Sequence, residues 1–163
     1  MARRGYHVTR EYSVDPLTTV RVGEVMDENV ATIPAEMRVM ELSDRIAQHD
    51  PQVAKRQGLP ILDESGRLVG IITRGDVLRA LGQSAEDDTT VLDAGSRDLI
   101  VAYPDELLHD AVTKMLRHNI GRLPVVSRQN SQRLIGYLGR ANLMTARVRQ
   151  LEEEHFRERG LRL

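Results

Sequence analysis

Apolar and polar positions alternate along this chain in two periods, one typical of short strands and one typical of amphipathic helices. In the first half of the chain, the pattern predicts a strand over 30–33, a helix over 35–48, strands over 59–62 and 68–73, and a helix over 76–81. In the second half, it predicts a strand over 99–103, a helix that includes 107–116, strands over 123–127 and 134–138, and a helix over 141–158. The two halves therefore present the same elements in the same order.

A sequence motif is repeated together with the elements. The run VGIITRGD at 69–76 returns as IGYLGRAN at 135–142, and an apolar run opened by Leu-Pro precedes each copy. So long an ordered pattern does not recur by composition alone, so we expect a tandem repeat whose function lies where the copies meet. The predicted organisation is an N-terminal linker over 1–19, repeat 1 over 20–82, a polar linker over 83–90, repeat 2 over 91–146 and a charged C-terminal helix over 147–163.

Composition and charge exclude several classes of function. Lysine and arginine number 23 against 24 acids, and aromatic residues are 3% of the chain, so neither a global attraction to nucleic acid nor base-stacking platforms are expected. There are no cysteines, and the five histidines lack metal-ligand spacing, so no metal site is predicted. No signal peptide, spanning apolar segment, Walker loop or nucleophile–base pair is visible, so we expect a cytoplasmic, non-enzymatic protein without a cofactor.

The repeated unit resembles the cystathionine β-synthase (CBS) domain. The likeness lies in the order strand, proline, helix, Leu-Pro strand, then Gly-apolar-apolar-Thr-x-x-Asp and a helix, and it covers roughly residues 20–146. Two copies resemble the pair called a Bateman module. The resemblance implies an α+β fold of two repeats, each a small sheet with packed helices, related by pseudo-two-fold symmetry. It also implies two clefts that bind a regulatory adenosine nucleotide such as ATP, ADP or AMP, and a homodimer.

The N-terminal flank resembles a more particular context. Residues 5–12, the run Asp15-Pro16-Leu17 and residues 22–26 are similar to the segment that joins the membrane part of ClC-type chloride channels and transporters to their cytosolic CBS pair. This likeness implies a covalently attached membrane transport domain and a location at the inner face of a membrane. Two alternatives stay open: a free-standing regulator of another protein, and a dimerisation scaffold with vestigial clefts.

The first copy of the motif carries the chemistry that a nucleotide needs. Gly70 lets backbone approach a ligand closely, the Thr73 hydroxyl can donate to phosphate, and Asp76 at a helix start can accept from ribose hydroxyls. The alternative is structural, since Asp76 and Asn142 could simply cap their helices and Thr73 could simply end a strand.

The resemblance divides these residues between two clefts. Cleft A would join Thr32, Ile33, Pro34, Leu59, Pro60 and Ile61 with Arg122, Gly139 and Asn142. Cleft B would join Ala102, Tyr103, Pro104, Leu123, Pro124 and Val125 with Gly58, Thr73 and Asp76. Tyr103 could stack on adenine or belong to the core.

Each cleft departs from the family pattern in a different way. Cleft A has Arg122, a bidentate phosphate donor, but Gly139 lacks a hydroxyl and Asn142 replaces a carboxylate. Cleft B keeps the threonine and the aspartate but has Gly58 where the arginine is expected, so Arg74 or Arg56 would have to reach its phosphates. We therefore expect cleft B to recognise the ribose.

Overall fold

The computed structural model describes residues 15–54, 56, 58–83 and 88–161. The stretch 5–12 that resembles ClC-type proteins lies outside these residues, as does 84–87 of the expected linker. The elements of the first half are α1 (Pro16–Thr19), α2 (Val22–Val25), β1 (Ile33–Pro34), α3 (Val39–Ala47), β2 (Gly58–Leu62), β3 (Leu68–Thr73) and α4 (Arg74–Gly82). Those of the second half are α5 (Val91–Ala94), α6 (Leu108–His118), β4 (Arg122–Val126), β5 (Leu134–Gly139) and α7 (Arg140–Leu161).

Two small sheets carry the same hairpin. β2 pairs antiparallel with β3 and β4 pairs antiparallel with β5, while β1 adds to β2 in parallel. Gly58 lies opposite Thr73 in the first hairpin, and Arg122 lies opposite Gly139 in the second. Each hairpin also has a register shift at the same place, after Ile61 and after Val125. The α+β fold with two repeated units is therefore confirmed.

The strand predicted over 99–103 is wrong. Only Ala102 pairs there, through an isolated parallel bridge to Val125, whereas the equivalent residues of the first repeat form β1. The next donor to β4 in this register would be the amide of residue 104, at the place where Ala35 of the first repeat donates to Leu62 at 2.9 Å. Pro104 has no N–H, so the ladder ends at Ala102.

The two cores exchange their opening helices. Val22 and Val25 of α2 are buried among side chains of the second repeat, and Val91 of α5 is buried among those of the first. Backbone hydrogen bonds support the exchange, since the Val22 amide donates to Glu106 and the Val91 amide donates to Met37, both at 2.8 Å. Each sequence repeat therefore begins inside the other repeat's core.

A membrane-spanning helix, long and apolar enough to cross a bilayer, does not occur within the ranges described.

Candidate functional site

Thr73 and Asp76 of the first copy form a reciprocal cap at the start of α4. The Asp76 amide donates to the Thr73 hydroxyl at 3.1 Å, and the Thr73 amide donates to the Asp76 carboxylate at 2.9 Å. Arg79 donates to the other carboxylate oxygen at 3.1 Å. A carboxylate has about four acceptor sites, and these contacts use two, so Asp76 combines its capping role with free acceptor capacity.

Asn142 of the second copy is a buried link to the segment after α2. Its side-chain oxygen accepts from the Gly139 amide at 2.7 Å. Its NH₂ group donates to the Val25 carbonyl at 2.8 Å and to the Asp27 carboxylate at 3.2 Å. Both donors of the amide are thus used, and the residue is only 7% exposed.

Arg122 crosses from the second repeat to the first. Its side chain lies against Gly58, where an added Cβ would overlap its Nε and Cδ atoms. The Nε atom is buried and has no hydrogen-bond partner among the residues that the structure describes. Because Gly58 pairs with Thr73, Arg122 and Thr73 flank the same glycine. Arg122, assigned to one cleft, therefore lies against Gly58, which was assigned to the other cleft.

Tyr137 and Arg56 complete this neighbourhood. Burial raises the pKa of the Tyr137 phenol above its ordinary value of 10.0, while the positive charges of Arg122 and Arg56 lower it. The phenol therefore stays neutral beside two cations. Sequence reasoning did not assign Tyr137 to the site, although its replacement of Ile71 within the repeated motif was a visible signal.

The glycines of the motif accommodate protein backbone. A Cβ at Gly70 would lie 2.9 Å from the Ser96 carbonyl oxygen, and one at Gly136 would lie 3.1 Å from the Asp27 carbonyl oxygen. Ser96 and Asp27 also form bridges with the strands that carry these glycines. The close backbone approach expected at Gly70 is thus made by the segment after α5, which packs on the first repeat.

The remaining predicted cleft residues differ in exposure. Ala102 and Leu123 are fully buried in the second core. Pro60 and Pro124 are buried within β2 and β4, Pro104 is half-buried and accepts from the Gly23 amide at 2.9 Å, and Thr32 is exposed.

The Tyr103 ring is covered by cations. The Arg128 guanidinium carbon lies 4.2 Å from the ring centroid and the Lys114 amine lies 5.4 Å from it. Arg128 also donates to Asp105 at 2.8 Å, and this hydrogen bond lowers the pKa of the Asp105 carboxyl below its ordinary value of 3.8. A base that stacks on Tyr103 would have to share the ring with Arg128.

Two cavities lie near these residues. One of about 240 Å³ is bounded by Asp76, Arg79, Thr89 and Asp93, and one of about 600 Å³ lies between β3, residues 97–101 and the turn at 131–132. Within the described part of the chain, no three acidic or histidine side chains are grouped so that they could hold a metal ion.

Known proteins match the chain in both sequence and fold. A family model described as the CBS domain matches twice, over residues 22–83 and 87–149. The CBS domain-containing protein YhcV of Bacillus subtilis (strain 168) is 30% identical over 134 residues, which are 82% of this chain and 87% of that protein. The chain spans between 20% and 39% of the length of the first four curated relatives it matches.

Two solved structures of the same type contain adenosine ligands. The CBS domain pair of protein MJ0100, in complex with 5-methylthioadenosine and S-adenosyl-L-methionine, superimposes with a TM-score of 0.64 at 28% identity, over 77% of this chain and 94% of that one. CBSX2 in complex with AMP superimposes with a TM-score of 0.67 at 25% identity, over 80% of this chain and 97% of that one.

Proposed function

Because this chain belongs to the CBS-domain family and carries two copies of the domain, we propose that it is a regulatory module that binds an adenosine nucleotide where the copies meet. The adenosine ligands of the MJ0100 pair and of CBSX2 support this ligand class. The ligands we expect are AMP, ADP or ATP. The chain itself catalyses no reaction in this proposal.

The observation that carries the proposal is the Nε atom of Arg122, which is buried between the repeats and has no hydrogen-bond partner among the described residues. A cation whose Nε is buried has lost water without gaining an acceptor, and a phosphate oxygen would supply that acceptor. Thr73 pairs with Gly58 across the hairpin, so its hydroxyl is proposed as a second donor on the same face of the sheet. Arg56 adds a further positive charge. Gly58 stands where the family pattern has an arginine. Because it has no side chain, it leaves the space that Arg122 occupies.

The first copy is the better candidate for the ribose. Asp76 keeps acceptor capacity beyond its helix cap, whereas Asn142 has used both its donors inside the protein. A ribose bound at Asp76 also places its phosphate toward the Thr73 end of α4, where backbone amides favour an anion. Tyr103 and Pro104 stay proposed contacts for the base in this cleft, and Thr32 stays one in the other cleft.

Regulation follows from the position of the anion site. A phosphate held by Arg122 from one repeat and Thr73 from the other favours the arrangement in which these groups are close. A ligand shifts a conformational equilibrium only by its differential affinity for the two states, and contacts from both repeats supply such a difference.

The protein that this module regulates is proposed separately. A ClC-type membrane domain is proposed from the N-terminal likeness, and a homodimer from the family resemblance. A free-standing regulator is the alternative, and the match to 87% of YhcV supports it. A scaffold with vestigial clefts is the reading that remains if no ligand binds.

Isothermal titration of the full chain with AMP, ATP, S-adenosylmethionine and adenosine tests the ligand. We expect Arg122→Met to lower the affinity for AMP and ATP by about tenfold to a hundredfold, because a charged hydrogen bond contributes about 1.5–3 kcal/mol. The affinity for adenosine, which has no phosphate, should not change. Asp76→Ala should lower the affinity for all four ligands. Arg97→Met is the matched control, because Arg97 is exposed and paired with Asp93. If none of the four ligands produced heat, nucleotide binding would be rejected and the dimerisation scaffold with vestigial clefts would be the remaining hypothesis.

A further inference from the structure

Arg122 and Gly58 occupy equivalent positions in the two repeats. Arg122 begins β4 and pairs with Gly139 at the end of β5, and Gly58 begins β2 and pairs with Thr73 at the end of β3. Leu-Pro follows each of them. With an arginine at both positions, each cleft would have its own guanidinium, whereas these two positions supply a single guanidinium for both clefts.

The side chain of Arg122 fills the space that a side chain at position 58 would need. A Cβ added at Gly58 would lie 2.5 Å from the Cδ atom of Arg122 and 3.2 Å from its Cζ atom, and both distances are shorter than ordinary contacts. Arg122 therefore extends from cleft A, to which it was assigned, to the position in cleft B that has no arginine of its own. The two clefts are adjacent at this point.

A second cation lies in the same neighbourhood. The positive charges of Arg56 and Arg122 both lower the pKa of the Tyr137 phenol, against the larger effect of burial, so the two charges lie near the same side chain. Because the attraction between charges falls with distance, a phosphate beside Arg122 is also attracted by Arg56. The two cations thus form one anion site rather than one site in each cleft.

The polar groups of cleft A are already used by the fold. Gly139 has no hydroxyl, and the Asn142 side chain makes three hydrogen bonds within the protein. Cleft B keeps the Thr73 hydroxyl and the Asp76 carboxylate. A nucleotide in cleft A would depend chiefly on Arg122, whereas in cleft B the guanidinium adds to two other polar groups.

We propose that the two clefts share Arg122 as their phosphate-binding guanidinium, so that each chain holds one nucleotide at a time, in cleft B. The proposal rests on the proposed function and adds its stoichiometry. A second nucleotide would bring its phosphate close to the first one with no second guanidinium to neutralise it, and like charges at short range repel each other. A nucleotide in cleft B thus keeps cleft A empty.

Isothermal titration and equilibrium dialysis of the full chain with AMP measure the number of nucleotides bound per chain. For the wild type we expect one, with any second binding event at least about a hundredfold weaker. Gly58→Arg gives cleft B its own guanidinium and returns Arg122 to cleft A, so we expect two AMP per chain. Gly58→Met is the matched control, because it displaces Arg122 with a long side chain that has no charge. We expect it to bind one AMP, with lower affinity than the wild type.

An exchange of the two residues keeps the test valid if the melting temperature shows that Gly58→Arg does not fold. The double variant Gly58→Arg with Arg122→Gly again has a single arginine, so we expect one AMP per chain. The proposal would be overturned by two AMP per wild-type chain with affinities within about tenfold of each other, by two in the exchange variant, or by one in a folded Gly58→Arg. These outcomes leave the proposed function standing, whereas a wild type that binds no AMP would reject both.

Discussion

At position 142 the second copy has an amide where the first has the carboxylate of Asp76, and the surrounding hydrogen bonds require that difference. Asn142 donates to two oxygens, the Val25 carbonyl and the Asp27 carboxylate. A carboxylate at this position has no donor to offer and would face the negative charge of Asp27. The amide is therefore a structural requirement of the link between α7 and the segment after α2.

Asn142→Asp should consequently destabilise the protein. We expect a loss of about 1–3 kcal/mol in the free energy of unfolding, because one buried and one partly buried hydrogen bond are lost and two like charges meet. Asp27→Asn alone should have a small effect, since an amide oxygen can still accept from Asn142. The double variant should recover part of the loss, as urea unfolding in a double-mutant cycle would measure. Additive effects would contradict a direct contact.

Gly58→Ala should separate stability from ligand binding. The added Cβ displaces the Arg122 side chain, which can move, so we expect the free energy of unfolding to change by less than about 1 kcal/mol. AMP affinity should fall by about tenfold, as for Arg122→Met. Gly82→Ala is the control, because a Cβ there meets nothing within 4 Å. Unchanged AMP affinity in Gly58→Ala would remove Arg122 from the phosphate site.

The chemistry of single residues was more predictable than their contacts. The repeated motif predicted Thr73 and Asp76 as ligand residues, and the family resemblance added Arg122. Their use for a ligand stays a prediction, and the structure shows Thr73 and Asp76 capping α4. The motif did not predict that Arg122 lies over Gly58, since that contact joins residues 64 positions apart and depends on a side-chain conformation. Tyr137 was missed for the same reason.

Helices α4 and α5 each begin with a threonine cap, but the two caps differ in their relation to the proposed site. Thr73 accepts from the Asp76 amide at the start of α4, and Thr90 accepts from the Asp93 amide at the start of α5. We expect Thr73→Ala and Thr90→Ala each to cost about 1 kcal/mol of stability, measured by urea unfolding. Only Thr73→Ala should also weaken AMP in a titration. Equal AMP affinity in both variants would reduce Thr73 to a helix cap.

Elements with a strong hydrophobic period were predicted closely. The pattern placed strands at 59–62 and 68–73, and the structure has β2 and β3 over Gly58–Leu62 and Leu68–Thr73. The strand predicted over 99–103 does not form, for a local reason that hydrophobic periodicity does not detect. An apolar run forms a strand only if its amides can donate to a neighbouring strand, and the residue that would donate after Ala102 is Pro104, which has no N–H.

The exchange of α2 and α5 between the cores is a property of the whole molecule. The repeat shows that residues 22–25 and 91–94 are equivalent, but equivalence alone is compatible with each helix packing on its own repeat or on the other. The choice is made by long-range contacts, such as Gly70 with Ser96 and Gly136 with Asp27. The repeat boundaries predicted from the sequence, 20–82 and 91–146, therefore separate α2 and α5 from the cores in which they are buried.

This interlocking predicts which fragments fold. Residues 30–98 contain every buried member of the first core cluster, including Val91, whereas residues 20–83 lack Val91 and retain Val22 and Val25 without their partners. Loss of a buried aliphatic anchor costs about 2–5 kcal/mol, a large share of the stability of a small domain. We therefore expect fragment 30–98 to show dispersed amide resonances by NMR and cooperative thermal unfolding by circular dichroism. Fragment 20–83 should show neither, and the reverse result would mean that each repeat folds on its own opening helix.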